Sequence, residues 1–538
     1  MDVPAFAACS LGIYKNMDKK LSLRQSMDYL HTWAGVLFSV LLFLVFFMGT
    51  LSVFDREIDR WMMPETRIAA PRAVSFERDA LVHLEQLAPD ARLWMVQYPY
   101  SREPTMSLGW MGEDGIETRH VDVEKGRVLT DPGTKGGSGF FYPFHYSFHL
   151  DWMDIGAWLL AIVSIAMLVL LVSGVVIHKK IFADFFTFRP GKSIQRATLD
   201  LHNASSVLLL PFHFVITLSG LIIFLFIYME AGIAVIYAKD GGSIIKEAFN
   251  HVSRPAAKEP GKLASVDAMV ARSRAMWGGG EVRRIIIRNP NDKNALVEVQ
   301  RRPHDQIVND NVSVTFDGAT GEVLSQQRLS PTLQVQRFFS GLHMIPFDHW
   351  WLRWMYFAMG LVSCVMIGTG LLLWVEKRRA RQEKEGRVGY RAVNAVAVGG
   401  TMGVLVATLS MLVANKLLPP DLMDRATVEQ WVFFAAWIIA FLHPVARAFH
   451  PRSRTDLRIA WREQAWAGAG LAMLAAALNA IVTDDHLLTA LGQGKLAVAG
   501  TDLMLLATAV LAVAAARRLA VHGMPARSEA ASMHKVAI

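Results

Sequence analysis

Long apolar stretches that alternate with short basic loops constrain this chain more than any other feature. Eight stretches are long enough to cross a bilayer as helices, at roughly 29–54, 153–178, 203–229, 351–375, 393–414, 429–449, 462–483 and 498–518. The first four are rich in Leu, Val, Phe and Ile, and the last four are rich in Ala. Composition agrees: 53% of the residues are hydrophobic and 19% charged, too apolar for an ordinary soluble domain. The fold class expected is a membrane protein, mainly α-helical.

The net charge of +8 does not point to nucleic acid, because the basic residues cluster in short loops beside the apolar runs. Lys179, Lys180, Arg189, Lys192 and Arg196 follow the second run. Lys377, Arg378, Arg379, Arg381, Lys384 and Arg387 follow the fourth, and Arg447, Arg452, Arg454, Arg458 and Arg462 the sixth. All fall on the side of Lys15, Lys19, Lys20 and Arg24, so the positive-inside rule places both termini in the cytoplasm. The first run is too long for the apolar core of a signal peptide, and no small-residue cleavage site follows it. The expected organisation is a cytoplasmic N-terminus (1–28), helix 1 (29–54) and a first outer domain (55–152). Helices 2 and 3 with their basic loop (153–229), a second outer domain (230–350) and helix 4 (351–375) follow. A basic loop (376–392), four additional helices (393–518) and a cytoplasmic tail (519–538) complete the chain. In a bacterium this is a multi-pass inner-membrane protein with two periplasmic domains.

The two outer segments repeat one another. Each opens with a helical pattern, SFERDALVHLEQLAPD from Ser75 and SVDAMVARSRAMW from Ser265. Each continues in strand-like stretches and closes in a hairpin, RHVDVEKGRVLTD and VSVTFDGATGEVLSQ, turning at Lys125-Gly126 and Thr320-Gly321. The spans repeat as well. His31 precedes Gly49 by the same interval that separates His202 from Gly220. Spans two and four both follow a histidine cluster, FHYSFHL and GLHMIPFDH, and carry Ser173-Gly174 and Thr369-Gly370 near their ends. These glycines allow a helix or a flat macrocycle to approach closely.

With two cysteines far apart, Cys9 and Cys364, a disulfide framework, a zinc ribbon and a four-cysteine iron–sulfur site are excluded. Metal chemistry falls to the histidines. Each of them alone reads equally well as an interfacial residue, but polar groups at membrane depth are costly and usually functional. His31 and His202 form one repeat-related pair at the cytoplasmic face. His149 and His343 form another near the periplasmic face, with His145, one helical turn earlier, as the first alternative to His149. Two such pairs suit two bis-histidine haems. His213, about three helical turns after His202, returns to nearly the same helix face and either ligates the outer haem or lines the path between them. His178 ends the second span as a ligand, a propionate contact or an interfacial residue. Covalent c-type haem is excluded because no CxxCH occurs. No nucleotide- or dinucleotide-binding glycine loop occurs either, so electrons come from a cytoplasmic partner or from quinol.

The histidine-led spans (HTWAG…MGT) and the hairpins VDVEKGRVL and FDGATGEVL resemble the PepSY-associated transmembrane family over about residues 25–380. That family includes inner-membrane ferrisiderophore reductases. The resemblance implies two periplasmic PepSY-like αβ domains, b-type haem and His31, His149, His202 and His343 as ligand candidates. It also implies a periplasmic ferric siderophore as the electron acceptor. Tyr142, Arg301 and Arg302 are the substrate contacts suggested by location. Other readings are a non-enzymatic PepSY-type regulator of peptidases and a quinol-linked cytochrome b with another acceptor. A transporter is disfavoured by the scarcity of carboxylates in the spans.

Overall fold

The computed structural model describes residues 21–521, apart from 114, 179–188, 190–193, 237–251, 311, 328, 386–387 and 450–457. Lys179, Lys180, Lys192, Arg387, Arg452 and Arg454, on which much of the expected orientation rests, lie outside the described residues.

Among the described residues, seven helices are long and apolar enough to cross a membrane. The repeat-bearing part supplies α1 (Leu23–Ser52), α5 (Ile155–Ile177) and α10 (Trp350–Glu385). The others are α11 (Val388–Leu417), α12 (Arg425–Phe449), α13 (Arg458–Thr483) and α14 (Leu496–Val521). The span expected over 203–229 is two helices, α6 (Ile194–Leu208) and α7 (Leu210–Ile223), bent by 64° at Leu209. Pro211 causes the break. It has no N–H for the carbonyl of Val207, and its ring crowds that turn. Counting the bent pair as one span gives eight. Large apolar side chains such as Leu37 and Leu511 point outward from these helices, each 70% exposed, a surface that suits lipid.

Shorter helices lie at the sheet side of the spans. They are α2 (Asp55–Met62), α3 (Val82–Leu87), α4 (Gly136–Ser147), α8 (Val266–Met276) and α9 (Pro331–Met344). The two outer units, expected as separate domains, share one eight-stranded antiparallel sheet in the order β4-β3-β2-β1-β5-β6-β7-β8. The strands are β1 (Leu93–Gln97), β2 (Met106–Met111), β3 (Ile116–Asp122), β4 (Arg127–Val128), β5 (Val282–Arg288), β6 (Leu296–Arg301), β7 (Ser313–Asp317) and β8 (Val323–Gln326). β1 and β5, the first strand of each unit, join the halves, with Met95 opposite Ile286 at the centre. Each would otherwise be an exposed edge with unpaired backbone groups, and each covers the other. Trp94, Val96, Ile285 and Ile287 pack one face of the sheet against Phe76, Leu84, Met269 and Val270. The units also cap each other's helices. Asp267 accepts from the Phe76 N–H (2.7 Å) and the Ser75 hydroxyl (2.5 Å), while Glu77 accepts from the Asp267 N–H (3.0 Å) and the Ser265 hydroxyl (2.9 Å).

The last four helices pack on this core through α11. A Cβ on Gly400 would overlap the Val40 side chain of α1. A buried polar network ties the same bundle to α2 and the segment after it. Trp61 Nε1 donates to Asp502 (2.8 Å), and Lys416 Nζ donates to the Trp61 carbonyl (2.6 Å) and lies 4.1 Å from its ring centre. The Arg67 guanidinium, 2% exposed, reaches Asp485, Thr483 and Asn479 at 2.9 Å each and the carbonyls of Arg60 and Trp61. Removing one member of a buried pair leaves the other charge uncompensated. Arg67→Ala is therefore expected to cost about 3–5 kcal/mol, seen as a lower thermal midpoint of the detergent-solubilised protein. An unchanged midpoint would show that the network carries no stability.

Candidate functional site

Four histidines share one local geometry. On each, Nδ1 donates to a backbone carbonyl of a neighbouring helix, and the ring lies against the glycine one helical turn beyond that carbonyl. His31 of α1 bonds the Leu170 carbonyl (3.1 Å) and faces Gly174 on α5. His202 of α6 bonds the Met366 carbonyl (2.9 Å) and faces Gly370 on α10. His145 of α4 bonds the Val45 carbonyl (2.8 Å) and faces Gly49 on α1. His343 of α9 bonds the Ile216 carbonyl (2.9 Å) and faces Gly220 on α7. Cβ atoms on these glycines would lie 3.3, 3.1, 2.7 and 3.1 Å from the respective Cε1 atoms, a clash at Gly49 and tight contacts at the other three that would push the rings back slightly. Ser173 and Ser219, each preceding its glycine, add hydroxyls 3.1 and 3.0 Å from Nδ1 of His31 and His343.

Occupying Nδ1 with a carbonyl fixes the tautomer and orientation of each imidazole and leaves Nε2 with its lone pair. Among the described residues, no protein group bonds Nε2 of any of the four. The rings come in two pairs. His31 and His202 have centroids 6.5 Å apart, and His145 and His343 have centroids 5.9 Å apart. A first-row metal bound through Nε2 on both sides at about 2.0–2.1 Å would hold two imidazole centroids roughly 6–6.5 Å apart. Among the described residues there is no cluster of three or more His, Cys, Asp or Glu suited to a metal ion. Two facing imidazoles alone match a macrocycle that brings its own equatorial nitrogens. Each pair takes one histidine from each half of the repeat, His31 and His145 from the first and His202 and His343 from the second. The stretch of α1 from His31 to Gly49 separates the two pairs by about 27 Å of helix rise.

The repeat expectation paired His149 with His343, but it is His145 that stands beside His343. α4 ends in a left-handed residue, Phe148 (φ 52°), and His149 itself has φ 56°. That turn carries His149 off the helix. Its ring stacks on Phe140 at 4.7 Å, and its Nε2 is 3.0 Å from the Phe140 carbonyl. The clue in the sequence was spacing, since His145 precedes Trp152 by the same interval that separates His343 from Trp350, and in the structure both histidines sit in the last turn of their helices. His213 belongs to neither pair. It is fully buried on α7, between the levels of His202 and Gly220, with Nε2 2.8 Å from the Ser363 hydroxyl and its ring edge-on to Phe46 at 5.9 Å. His178 lies at the end of α5, its backbone N–H 3.3 Å from the Gly174 carbonyl.

A cavity of about 420 Å³ runs from the His145–His343 pair, with Gly49 and Gly220, to Gln97, Arg283 and Arg284 of the sheet and to Tyr98 and Tyr100 just beyond β1. Of the suggested contact residues, Tyr142 and Arg302 line it and Arg301 does not. Arg301 instead pairs with Asp305 at 2.6 Å. The Arg302 guanidinium lies over the Tyr100 ring at 4.0 Å and pairs with Asp348 and Glu281. Burial, with the neighbouring Tyr146 adding to it, pushes the Tyr142 phenol up to about 12, so it remains a hydroxyl donor at physiological pH.

A helical membrane bundle in two pseudo-symmetric halves, joined by a shared sheet and carrying two facing histidine pairs, defines a multi-pass membrane protein with a sheet domain on one side. The chain belongs to the family of the PepSY-associated TM region, whose model matches residues 29–377. α11–α14 lie beyond that match. An uncharacterised protein of Pseudomonas aeruginosa is 26% identical over 381 residues, covering 66% of this chain and 89% of that protein.

Proposed function

We propose that this chain is a haem-b electron-transfer protein of a bacterial inner membrane that reduces a ferric siderophore, or another Fe(III) chelate, in the periplasm. The observation that carries this reading is the fourfold arrangement in which Nδ1 is held by a carbonyl, Nε2 bonds no described protein group, and the rings pair with centroids 6.5 and 5.9 Å apart. His31 with His202, and His145 with His343, are the residues that would hold two haems b. Haem at these pairs would supply one-electron iron chemistry at two depths, tuned by ligand identity, hydrogen bonding and burial.

The chain's own groups do the rest. The four carbonyls orient the imidazoles and raise their basicity. The four glycines leave room for a flat ring beside each helix. His213, fully buried, and Phe46 place aromatic rings 5.9 Å apart in the interval between the pairs. With both termini cytoplasmic, the His31–His202 pair faces a cytoplasmic or quinol donor. The His145–His343 pair opens onto the cavity under the periplasmic sheet, where Tyr142 and Arg302 offer donors to a chelate.

A dithionite-reduced minus oxidised spectrum of the purified protein, with haem counted as the pyridine haemochrome, tests this. The expected result is a b-type spectrum at about two haems per chain. Reduction of a ferric chelate, followed by trapping Fe(II), should accompany it. A colourless protein would overturn the reading and leave the histidines as structural groups of a peptidase regulator.

A further inference from the structure

Charge is unevenly balanced around the cavity. Its lining includes Arg56, Arg102, Arg283, Arg284, Arg302 and Arg353 against two carboxylates, Asp55 and Asp348. Carboxylates in or just behind the wall account for three of these arginines. Arg56 pairs with Glu103 (3.4 Å) and Asp59 (3.6 Å), Arg102 with Glu57 (2.7 Å) and Asp55 (3.2 Å), and Arg302 with Asp348 and Glu281. Among the described residues, Arg284 and Arg353 bond only neutral groups. Arg284 reaches the Gln97 side-chain carbonyl (3.3 Å), and Arg353, 5% exposed, reaches the carbonyls of Val53, Ile345 and Phe347.

The backbone is arranged to aim this charge. Along a regular strand, neighbouring side chains point to opposite faces. On β5, Val282 and Ile285 are both in the sheet core, with two residues between them. The register shifts between Val282 and Arg284 opposite β6, a bulge that sets Arg283 and Arg284 together on the cavity side. The carboxylates that act on Arg284, Glu103 and Glu298, pair with Arg56 at 3.4 Å and Arg288 at 3.2 Å, so an entering anion would add a counter-charge that is not already paired with another arginine.

We infer that the sheet-side end of this cavity is a carboxylate-binding subsite built on Arg284 with Arg283, so that the preferred iron chelate is anionic. This rests on the proposed reading of the cavity as the reducing site. The same chemistry could be supplied by haem propionates, and the test separates the two sources.

The full-length protein and its R284Q and R284K variants are titrated with gallium(III) citrate, an anionic and redox-inert probe. The cationic gallium(III) complex of desferrioxamine B serves as the control. Haem content and reduction midpoints are measured on the same samples. The wild type is expected to bind the citrate complex more tightly than the cationic one, R284Q to lose about tenfold of that affinity, and R284K to keep part of it. Unchanged citrate binding with lower haem retention or a shifted midpoint in R284Q assigns the carboxylate subsite to haem propionates and overturns the preference for an anionic chelate. No change in any of these quantities overturns it. Arg284-dependent citrate binding by a colourless protein would support the subsite while the haem reading fails.

Discussion

His145→Ala is expected to lower the haem content of the purified protein from about two per chain to about one, while His149→Ala leaves it unchanged. The two residues are both histidines and only four positions apart in sequence, so general damage to the region would affect them alike. Their surroundings differ. His145 donates Nδ1 to the Val45 carbonyl and faces His343. His149 lies in the turn, with Nε2 3.0 Å from the Phe140 carbonyl. The opposite result, loss of haem with His149→Ala and retention with His145→Ala, would sink the assignment. Equal loss from both would reduce the residues to packing elements. His202→Ala should remove the other haem, and the double variant His145→Ala/His202→Ala should be colourless yet still inserted.

Gly49→Ala is expected to weaken the same haem by about 10–100-fold without touching a ligand, the range found when an outer-shell partner of a metal-bound histidine is changed. The added Cβ would stand 2.7 Å from Cε1 and 2.8 Å from Nδ1 of His145. Those distances are too short for any carbon, so the ring must leave the Val45 carbonyl or α4 must move away from α1. Haem retention during dilution, read as loss of reduced-state absorbance, measures the effect. A wild-type retention curve would mean that the cradle is not required. Gly368→Ala on α10 is a matched control, because a Cβ there meets nothing within 4 Å.

Much of the membrane part was legible as sequence. The apolar runs give the spans because a bilayer demands about 20 apolar residues per crossing. The third span is the exception in shape. Pro211 is visible in the sequence, but a proline can kink, end or merely open a helix, and the 64° bend depends on how α6 and α7 pack against different neighbours. The shared sheet was not legible. Two similar units announce a repeat, yet whether β1 and β5 meet depends on the spans bringing two edges together.

The site divides along the same line. The interval from His31 to Gly49, repeated from His202 to Gly220, is a property of the sequence alone. On the unbroken α1 a constant rise per residue puts His31 near one end and Gly49 near the other, whereas the equal interval from His202 to Gly220 crosses the bend between α6 and α7. Tertiary structure decided what these residues meet. Each glycine faces a histidine from another helix, one turn beyond the carbonyl that holds the ring, and no spacing along one chain encodes that alignment. The choice of His145 over His149 and the convergence of Arg283 and Arg284 on one cavity are of the same kind. Both follow from single backbone departures, a left-handed residue at Phe148 and a bulge on β5, that local propensity does not specify and packing does.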